Sequence, residues 1–318
     1  MIKVAINGYG RIGRVAHRVI LEKFADQIEV VGINTGSSTD VLGWSYLLKY
    51  DTAYGVLKNH TVAVEGTNLV VDGKQIPIFC EKSPEMLPWR KLLVDVVIEA
   101  TGQFTTMEKI SAHLTAGAKK VVLSAPAKDG TIKTYVLKVN FGPGQKIEDI
   151  ISNASCTTNS IAPVAQIISE KFGIEKAMMT TIHSYTSDQE LQDGGHKDYR
   201  RARAAAQNII PTTTGATLAA AEAVPELKGL FTGLAIRVPT IVGSLSDFTF
   251  LFKRETTVEE VNKIFTDEAQ SERYKNILEV TTEPIVSSDI IGNPCSSIVD
   301  LSLTQVVGGN LLKVIAWY

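Results

Sequence analysis

Ile2-Lys3-Val4-Ala5-Ile6-Asn7-Gly8-Tyr9-Gly10-Arg11-Ile12-Gly13 is the stretch on which the fold turns. Residues 2–6 form a short apolar run of the kind that makes a buried strand. Beyond the glycines, Ile12, Val15, Val19, Ile20 and Phe24 recur at helical spacing, and residues 29–34 read as a second strand. Strand, glycine turn, helix and strand make a βαβ unit, of a length that suits the mononucleotide-binding half of a doubly wound sheet. Gly8, Gly10 and Gly13 divide the work: one permits a tight turn, one lets the backbone approach a diphosphate, and one lets the helix sit close to the strand. The helix N-terminus beyond them favours negative charge. The same residues also read as a tight strand–helix turn without a ligand.

Further out, residues 61–64 and 68–71 flank Glu65-Gly66-Thr67 as a small hairpin, and Asp72-Gly73 turns into residues 75–78. Residues 95–99 read as another buried strand ending at Ala100-Thr101-Gly102, and residues 120–124 resume the parallel pattern after a helix. The predicted fold is α/β: an N-terminal Rossmann dinucleotide-binding domain over 1–153, and an α+β catalytic domain over 154–318. In the latter, Cys156 opens a helix running to Lys171, with Ile161, Val164, Ala165 and Ile168 on its apolar face. Strands are predicted over 177–185, 230–238, 245–253 and 297–303, and one large, mostly antiparallel sheet pairs them most simply. Residues 217–224 and 257–268 read as covering helices, the first rich in alanine. Residues 187–210 are mostly polar and long for a connection, and such loops are often functional.

The 318 residues suffice for two cores. With 44% hydrophobic and 21% charged residues, the chain reads as a soluble globular protein. A formal net charge of -2 recruits neither a nucleic-acid backbone nor an acidic membrane, so no such partner is expected. Cys80, Cys156 and Cys295 form no disulfide framework or metal-ligand cluster, and the histidines have no metal-ligand spacing. No basic leader precedes the first strand and no run is apolar enough to span a bilayer, so a cytoplasmic location is expected.

The chemistry centres on Ser155-Cys156-Thr157-Thr158-Asn159 and on His183 downstream. Sulfur attacks a carbonyl as thiolate, and imidazole is the side chain best suited to move a proton near neutral pH. A cysteine in the first turn of a helix meets aligned N–H groups, and an imidazolium at His183 would stabilise the thiolate further. A cysteine near a helix start is, on residue type alone, equally a packing residue. Arg200, Arg201 and Arg203 read either as a solvated face or as anion-binding donors. Thr212-Thr213-Thr214-Gly215 reads as a hydroxyl and backbone nest for phosphate, or as a turn into a helix. Arg237, in an apolar strand, needs a partner, either a bound phosphate or a neighbouring carboxylate. The end of the second strand normally carries an acid for the adenosine ribose. Here it reads Asn34-Thr35-Gly36-Ser37-Ser38, with no carboxylate before Asp40. That removes repulsion against a 2'-phosphate, to which Thr35, Ser37 and Ser38 could donate. A Ser/Thr turn at the strand end is the plainer alternative.

Across nearly its whole length the chain resembles the phosphorylating glyceraldehyde-3-phosphate dehydrogenase family. The resemblance rests on Asn7-Gly8-Tyr9-Gly10-Arg11-Ile12-Gly13-Arg14, Lys49-Tyr50-Asp51, Ser152-Asn153-Ala154-Ser155-Cys156-Thr157-Thr158-Asn159, His196-Lys197-Asp198-Tyr199-Arg200-Arg201-Ala202-Arg203 and Arg237-Val238-Pro239-Thr240. It implies that Cys156 is the nucleophile and His183 its base. It implies that Thr186, Asp188 and Arg237 hold the phosphate of glyceraldehyde 3-phosphate, and that Ser155, Thr157, Arg201, Thr214 and Gly215 hold inorganic phosphate. It places Arg11 and Ile12 in the diphosphate turn, and Thr101, Gly102 and Ser124 along the cofactor. It also implies a homotetramer in which the loop around Gly194 and Gly195 reaches a neighbouring subunit's cofactor site. An erythrose-4-phosphate dehydrogenase and a catalytically weak binding protein are the alternative readings.

The departures from the family pattern are informative. NAD-dependent members carry aspartate and leucine at the places of Thr35 and Gly36, and Leu-Pro at the place of Gly194-Gly195. Thr35 removes charge and the glycines remove bulk, which favours NADP over NAD and leaves dual use open. Ser160 stands where a second cysteine is frequent. Family members also continue past Trp317-Tyr318 with Asp-Asn-Glu, an aromatic residue and a final helix, and that asparagine positions the nicotinamide carboxamide. The expectation is that the chain is cut short before this segment, or else binds cofactor poorly.

Overall fold

The structure, a computed structural model, describes residues 1–36 and 38–318. Ser37, expected above to face the cofactor, lies outside the described residues. The chain forms two compact units, Met1–Thr134 with Lys146–Ala154, and Tyr135–Gln145 with Ser155–Tyr318.

The first unit begins with β1 (Ile2–Asn7), α1 (Arg11–Lys23) and β2 (Ile28–Asn34), then α2 (Val41–Lys49) and a short pair, β3 (Tyr50–Asp51) and β4 (Gly55–Val56). A meander of β5 (Val62–Glu65), β6 (Asn68–Val71) and β7 (Lys74–Phe79) follows. The unit continues through β8 (Val96–Glu99), α3 (Met107–Ile110), α4 (Ala112–Thr115), β9 (Lys120–Leu123) and β10 (Ile150–Ser152). The sheet order is β10-β9-β8-β1-β2-β7-β6-β5. It is parallel from β10 to β7 and antiparallel across the meander. Alternation along β1 feeds both faces: Ala5 joins one apolar cluster with Val97, Val121 and Trp89, and Ile6 joins another with Ile33, Val30 and Leu48. Full burial of a side chain such as Ile6 contributes about 2 kcal/mol.

Two features were not read from the sequence. α2 is capped by Asp40, whose carboxylate accepts the Gly43 N–H at 2.9 Å. The hairpin is not a separate appendage either, because β7 pairs with β2 in parallel and extends the main sheet.

The second unit contains α5 (Cys156–Phe172), β11 (Ile174–Ser184), β12 (Ile210–Thr213), α6 (Ala216–Ala223), β13 (Phe231–Val238) and β14 (Leu245–Phe252). It closes with α7 (Val258–Gln270), β15 (Leu278–Thr281), β16 (Ser297–Asp300), β17 (Gln305–Val307) and β18 (Leu311–Trp317). The sheet runs β12-β13-β11-β14-β18-β16-β15, with β17 also on β18. Its pairings are antiparallel except β11–β13 and β15–β16, so the sheet is mostly antiparallel. Period two places Phe248, Phe250 and Phe252 on one buried face, where Phe252 stacks on Phe172 of α5 at 4.9 Å. That packing anchors the helix whose opposite end carries Cys156.

Candidate active site

Ser155 is the N-cap of α5, and its hydroxyl accepts the Thr158 N–H at 3.0 Å. Cys156 is therefore the first helical residue, exposed, in the field of the unpaired first-turn N–H groups. β11 delivers His183 to the same place: its Nε2 lies 3.5 Å from Cys156 Sγ. The ring's Nδ1 lies 2.6 Å from the Ser184 carbonyl oxygen. A carbonyl only accepts, so Nδ1 carries the proton and Nε2 presents its lone pair to the thiol. Burial, with the nearby Arg237 guanidinium next in weight, lowers the His183 pKa to about 4. Burial and the Arg237 charge thus favour the neutral imidazole near neutral pH.

Register explains the arginine. β11 and β13 pair in parallel with His183 beside Arg237. Arg237 Nη1 donates to the Ser184 carbonyl at 3.1 Å and to Thr186 Oγ1 at 3.2 Å, and its buried Nε has no partner in the protein. The plainer sequence alternative, a neighbouring carboxylate, does not hold, since its bonds go to a carbonyl and a hydroxyl. Arg201 arrives from the 187–209 loop. It donates to Thr212 Oγ1 at 3.0 Å and the Thr213 carbonyl at 3.3 Å, and it pairs with Asp188. Arg201 is therefore no free surface charge. Asp188, expected to help hold the substrate phosphate, spends its carboxylate on the Arg201 guanidinium.

The remaining candidates cluster at two helix ends. Thr214 Oγ1 accepts the Ala216 N–H at 3.1 Å and Gly215 is the N-cap of α6. Thr158 Oγ1 meets Ser155 Oγ at 2.8 Å and the Ala216 carbonyl at 3.4 Å, so the starts of α5 and α6 are tied together. Ser155, Thr157, Thr214, Gly215 and Arg201 thus belong to one donor-rich neighbourhood. Tyr318 was not singled out by the sequence, because nothing local marks a tyrosine after a strand. Its hydroxyl bonds Thr157 Oγ1 at 2.8 Å and Thr181 Oγ1 at 2.6 Å, and its ring packs edge-on against His183 at 5.9 Å. Burial, and the Cys156 charge after it, push the Tyr318 phenol well above its ordinary range, so it stays protonated.

The first unit holds the dinucleotide candidates at the C-terminal ends of β1, β2, β8 and β9. Gly8 has φ +96°, and a Cβ there would lie 2.7 Å from the Ala100 carbonyl carbon and the Thr101 nitrogen. A Cβ at Gly13 would collide with the Gly8 carbonyl oxygen, while a Cβ at Gly10, the N-cap of α1, would meet nothing within 4 Å. That open cradle at a helix N-terminus fits a diphosphate. Arg11 forms a two-bond ion pair with Asp51, at 2.9 and 3.2 Å, and Ile12 is exposed. Gly102 has φ +70°, and the Ser124 hydroxyl donates to the Glu99 carbonyl at 3.0 Å. Asn34 is buried, with its amide spent on Asn7 and on the Glu81 backbone. Thr35 Oγ1 donates to backbone carbonyls, lying 2.5 Å from that of Ser38 in its own loop and 3.1 Å from that of Phe79 at the end of β7. The side chains of Asn34 and Thr35 therefore build the strand end rather than offer it free donors. The Ser38 hydroxyl accepts the Asp40 N–H at 3.1 Å.

Gly194 and Gly195 belong to the second unit, where Gly194 N–H donates to the Ala202 carbonyl at 2.9 Å. Among the described residues no cluster of His, Cys, Asp and Glu could hold a metal, and no helix is long and apolar enough to cross a membrane.

Known proteins share this arrangement of sequence. Residues 2–107 match the family model described as the NAD binding domain of glyceraldehyde 3-phosphate dehydrogenase, and residues 155–318 match its C-terminal domain. The chain is 53% identical over 318 residues to the glyceraldehyde-3-phosphate dehydrogenase of Thermotoga maritima, covering 100% of this chain and 94% of the relative. It is 49% identical over 317 residues to that of Zymomonas mobilis and 49% over 320 residues to that of Geobacillus stearothermophilus, each covering 100% of this chain and 93% of the relative.

Proposed function

Because the chain belongs to the phosphorylating glyceraldehyde-3-phosphate dehydrogenase family, we propose that Cys156 and His183 carry out its reaction, the reversible oxidative phosphorylation of glyceraldehyde 3-phosphate to 1,3-bisphosphoglycerate with NAD(P). His183 Nε2 takes the thiol proton, and the Cys156 sulfur attacks the aldehyde carbon to form a hemithioacetal. The same Nε2–H then passes its proton to the new alkoxide, which becomes the hemithioacetal hydroxyl. When the carbon is oxidised, His183 takes the hydroxyl proton back and a thioester remains on Cys156. A phosphate oxygen attacks the thioester carbonyl, the carbon–sulfur bond breaks, and the thiolate is regenerated. The bound dinucleotide supplies the hydride acceptor. Gly8, Gly10, Arg11, Ile12 and Gly13 would hold its diphosphate, with Thr101, Gly102 and Ser124 along its length.

Two anion positions follow from the donors. Arg237 with Thr186 suits the phosphate of the substrate, while Asp188 pairs with Arg201. Arg201, Thr157, Ser155 and the Thr214–Gly215 helix start suit inorganic phosphate. The observation that carries the reading is the 3.5 Å approach of Nε2 to Sγ on a ring whose other nitrogen is committed to a carbonyl. Incubation with aldehyde and dinucleotide but no phosphate tests it: an acyl adduct should accumulate on Cys156, and its absence would reject the role.

NADP is the favoured cofactor. Position 35 carries a neutral hydroxyl that donates within its own loop, so no carboxylate there repels a 2'-phosphate. Measuring kcat/KM with NADPH and NADH decides this, and a strong preference for NADH rejects it. We further propose residues 1–153 and 154–318 as cofactor and catalytic domains of a cytoplasmic homotetramer. Exposed Met178, Tyr199, Ile209, Leu218 and Leu234 support association. Light scattering from a column-purified sample tests it, and a monomer at micromolar concentration would oppose it.

A further inference from the structure

The ends of β1, β2 and β8 are joined below the glycine turn by a buried polar relay that the reaction does not use. Glu99 is fully buried. One of its oxygens accepts from Thr101 N at 2.8 Å and Thr101 Oγ1 at 2.5 Å, and the other lies 2.5 Å from Asn7 Nδ2 and 3.0 Å from His113 Nε2. Asn7 Oδ1 accepts from Asn34 Nδ2 at 2.7 Å. Asn34 in turn donates to the Glu81 carbonyl at 2.9 Å and accepts the Glu81 N–H at 2.8 Å. At the far end, Trp89 Nε1 donates to His113 Nδ1 at 3.0 Å.

Donor chemistry gives this relay one direction. An indole nitrogen only donates, so His113 Nδ1 is an acceptor and its proton sits on Nε2. His113 is therefore a neutral donor to Glu99, not a countercharge. From the other end, the Glu81 backbone offers one N–H and one C=O, which fixes which way the Asn34 amide points. Asn34 then fixes Asn7, whose NH₂ must meet an acceptor. Four donors from three residues converge on one carboxylate, which among the described residues makes no salt bridge to a lysine or arginine. A neutral amide at position 99 could not replace it, because it has a single acceptor oxygen. Whichever way it turned, its NH₂ would face donors, Thr101 on one side and Asn7 with His113 on the other.

We infer that Glu99 is a positioning residue for dinucleotide binding: its carboxylate locks Asn7, which leads into the Gly8 turn, to Thr101, which leads into Gly102. Backbone contacts show how tightly the two turns are set together. Ala100 N–H donates to the Asn7 carbonyl at 2.7 Å, and Gly8 has no room for a Cβ against Ala100 and Thr101. The carboxylate thus fixes from beneath the separation that the glycine permits from above. This rests on the reading above that these two turns hold the dinucleotide.

The test compares wild type, Glu99→Gln and the double variant Asn7→Asp/Glu99→Gln by calorimetric titration with NADPH and NADH. In the double variant the carboxylate moves one place along the relay. The new acid at position 7 accepts from Asn34, from the amide at position 99 and from His113, whose Nε2 is 3.4 Å from the Asn7 amide nitrogen. Glu99→Gln should raise the dinucleotide Kd at least about tenfold, and the double variant should recover most of that loss. KM for the dinucleotide should rise while KM for the aldehyde and the rate of Cys156 alkylation without dinucleotide stay near wild type, a split that general loosening would not give. Wild-type Kd in Glu99→Gln, or a double variant no better than the single, overturns the inference. If Glu99→Gln does not fold, the double variant decides alone: near wild-type Kd supports the relay, and failure to bind or fold overturns it. Failure of wild type itself to bind either dinucleotide would instead strike at the cofactor reading.

Discussion

His183 Nε2 lies 3.5 Å from Cys156 Sγ, on a ring held through Nδ1 by the Ser184 carbonyl at 2.6 Å. The hydrogen bond behind the ring decides what the front of it can do. Replacing His183 with Asn keeps a polar group but removes the base, and should lower kcat by roughly 10²–10⁴-fold. The variant's rate should also lose the pH dependence that His183 imposes. A stopped-flow trace of dinucleotide reduction across pH checks both. Cys156→Ala should remove the activity altogether.

Arg237 presses on the same ring. Its Nη1 approaches His183 Nδ1 to 3.2 Å, and its charge, after burial, helps hold the His183 pKa at about 4. Arg237→Gln should therefore move the His183 titration upward, part of the way to 6.5, and raise KM for the aldehyde phosphate by about tenfold or more. Proton NMR of the imidazole reads the first effect and steady-state kinetics the second. An unmoved titration would mean that burial alone sets it.

Acid stability follows from two histidines. His17 and His183 are both buried and both lowered from 6.5 to about 4, His17 by burial with His60 a lesser cause. Below pH 6.5 the unfolded chain binds protons that the folded chain refuses, so stability falls as pH drops from 6.5 towards 4. Each residue contributes roughly 3 kcal/mol to that loss. Urea denaturation at stepped pH checks the slope, and a His17→Gln variant should flatten it.

Tyr318 links the two strands of chemistry with one hydroxyl, shared between Thr157 and Thr181. Tyr318→Phe leaves both threonines short of a partner and should cost about 1–3 kcal/mol of stability. It should also raise KM for phosphate more than KM for the aldehyde, because Thr157 is a phosphate-site candidate. Thermal melts and paired kinetic titrations measure these effects.

Cofactor choice turns on position 35. Thr35→Asp would place a carboxylate at the end of β2, beside any 2'-phosphate, and should lower the kcat/KM ratio of NADPH to NADH by about tenfold or more. An unchanged ratio would move the discrimination elsewhere, with Gly194 and Gly195 the next positions to alter.

What could be read from the chain and what could not divide along physical lines. The strand–turn–helix unit was legible because buried strands and amphipathic helices announce themselves by period, and glycines by spacing. Cys156, His183 and Arg237 drew notice by residue type, but only the family resemblance gave them roles, since a cysteine at a helix start is equally a packing residue. The tautomer of His183 was not, since it is set by the carbonyl of the next residue, which any residue would supply. Nor was the relay through Asn7, Asn34, Glu99 and His113. Its members lie far apart in sequence and converge only when β1, β2 and β8 align. Tyr318 failed for the same reason, because Thr157 and Thr181 reach it from separate elements. The link from β7 to β2 was hidden because a strand's pattern does not name its neighbour.

The most direct single measurement is a rapid-mix reaction of aldehyde phosphate and dinucleotide with phosphate withheld, followed by mass analysis of the peptide bearing Cys156. The expected result is a burst of reduced dinucleotide stoichiometric with protein, an acyl adduct on that cysteine, and resumed turnover when phosphate is added. Steady turnover without phosphate, or a burst that leaves Cys156 unmodified, would contradict a thioester at that residue.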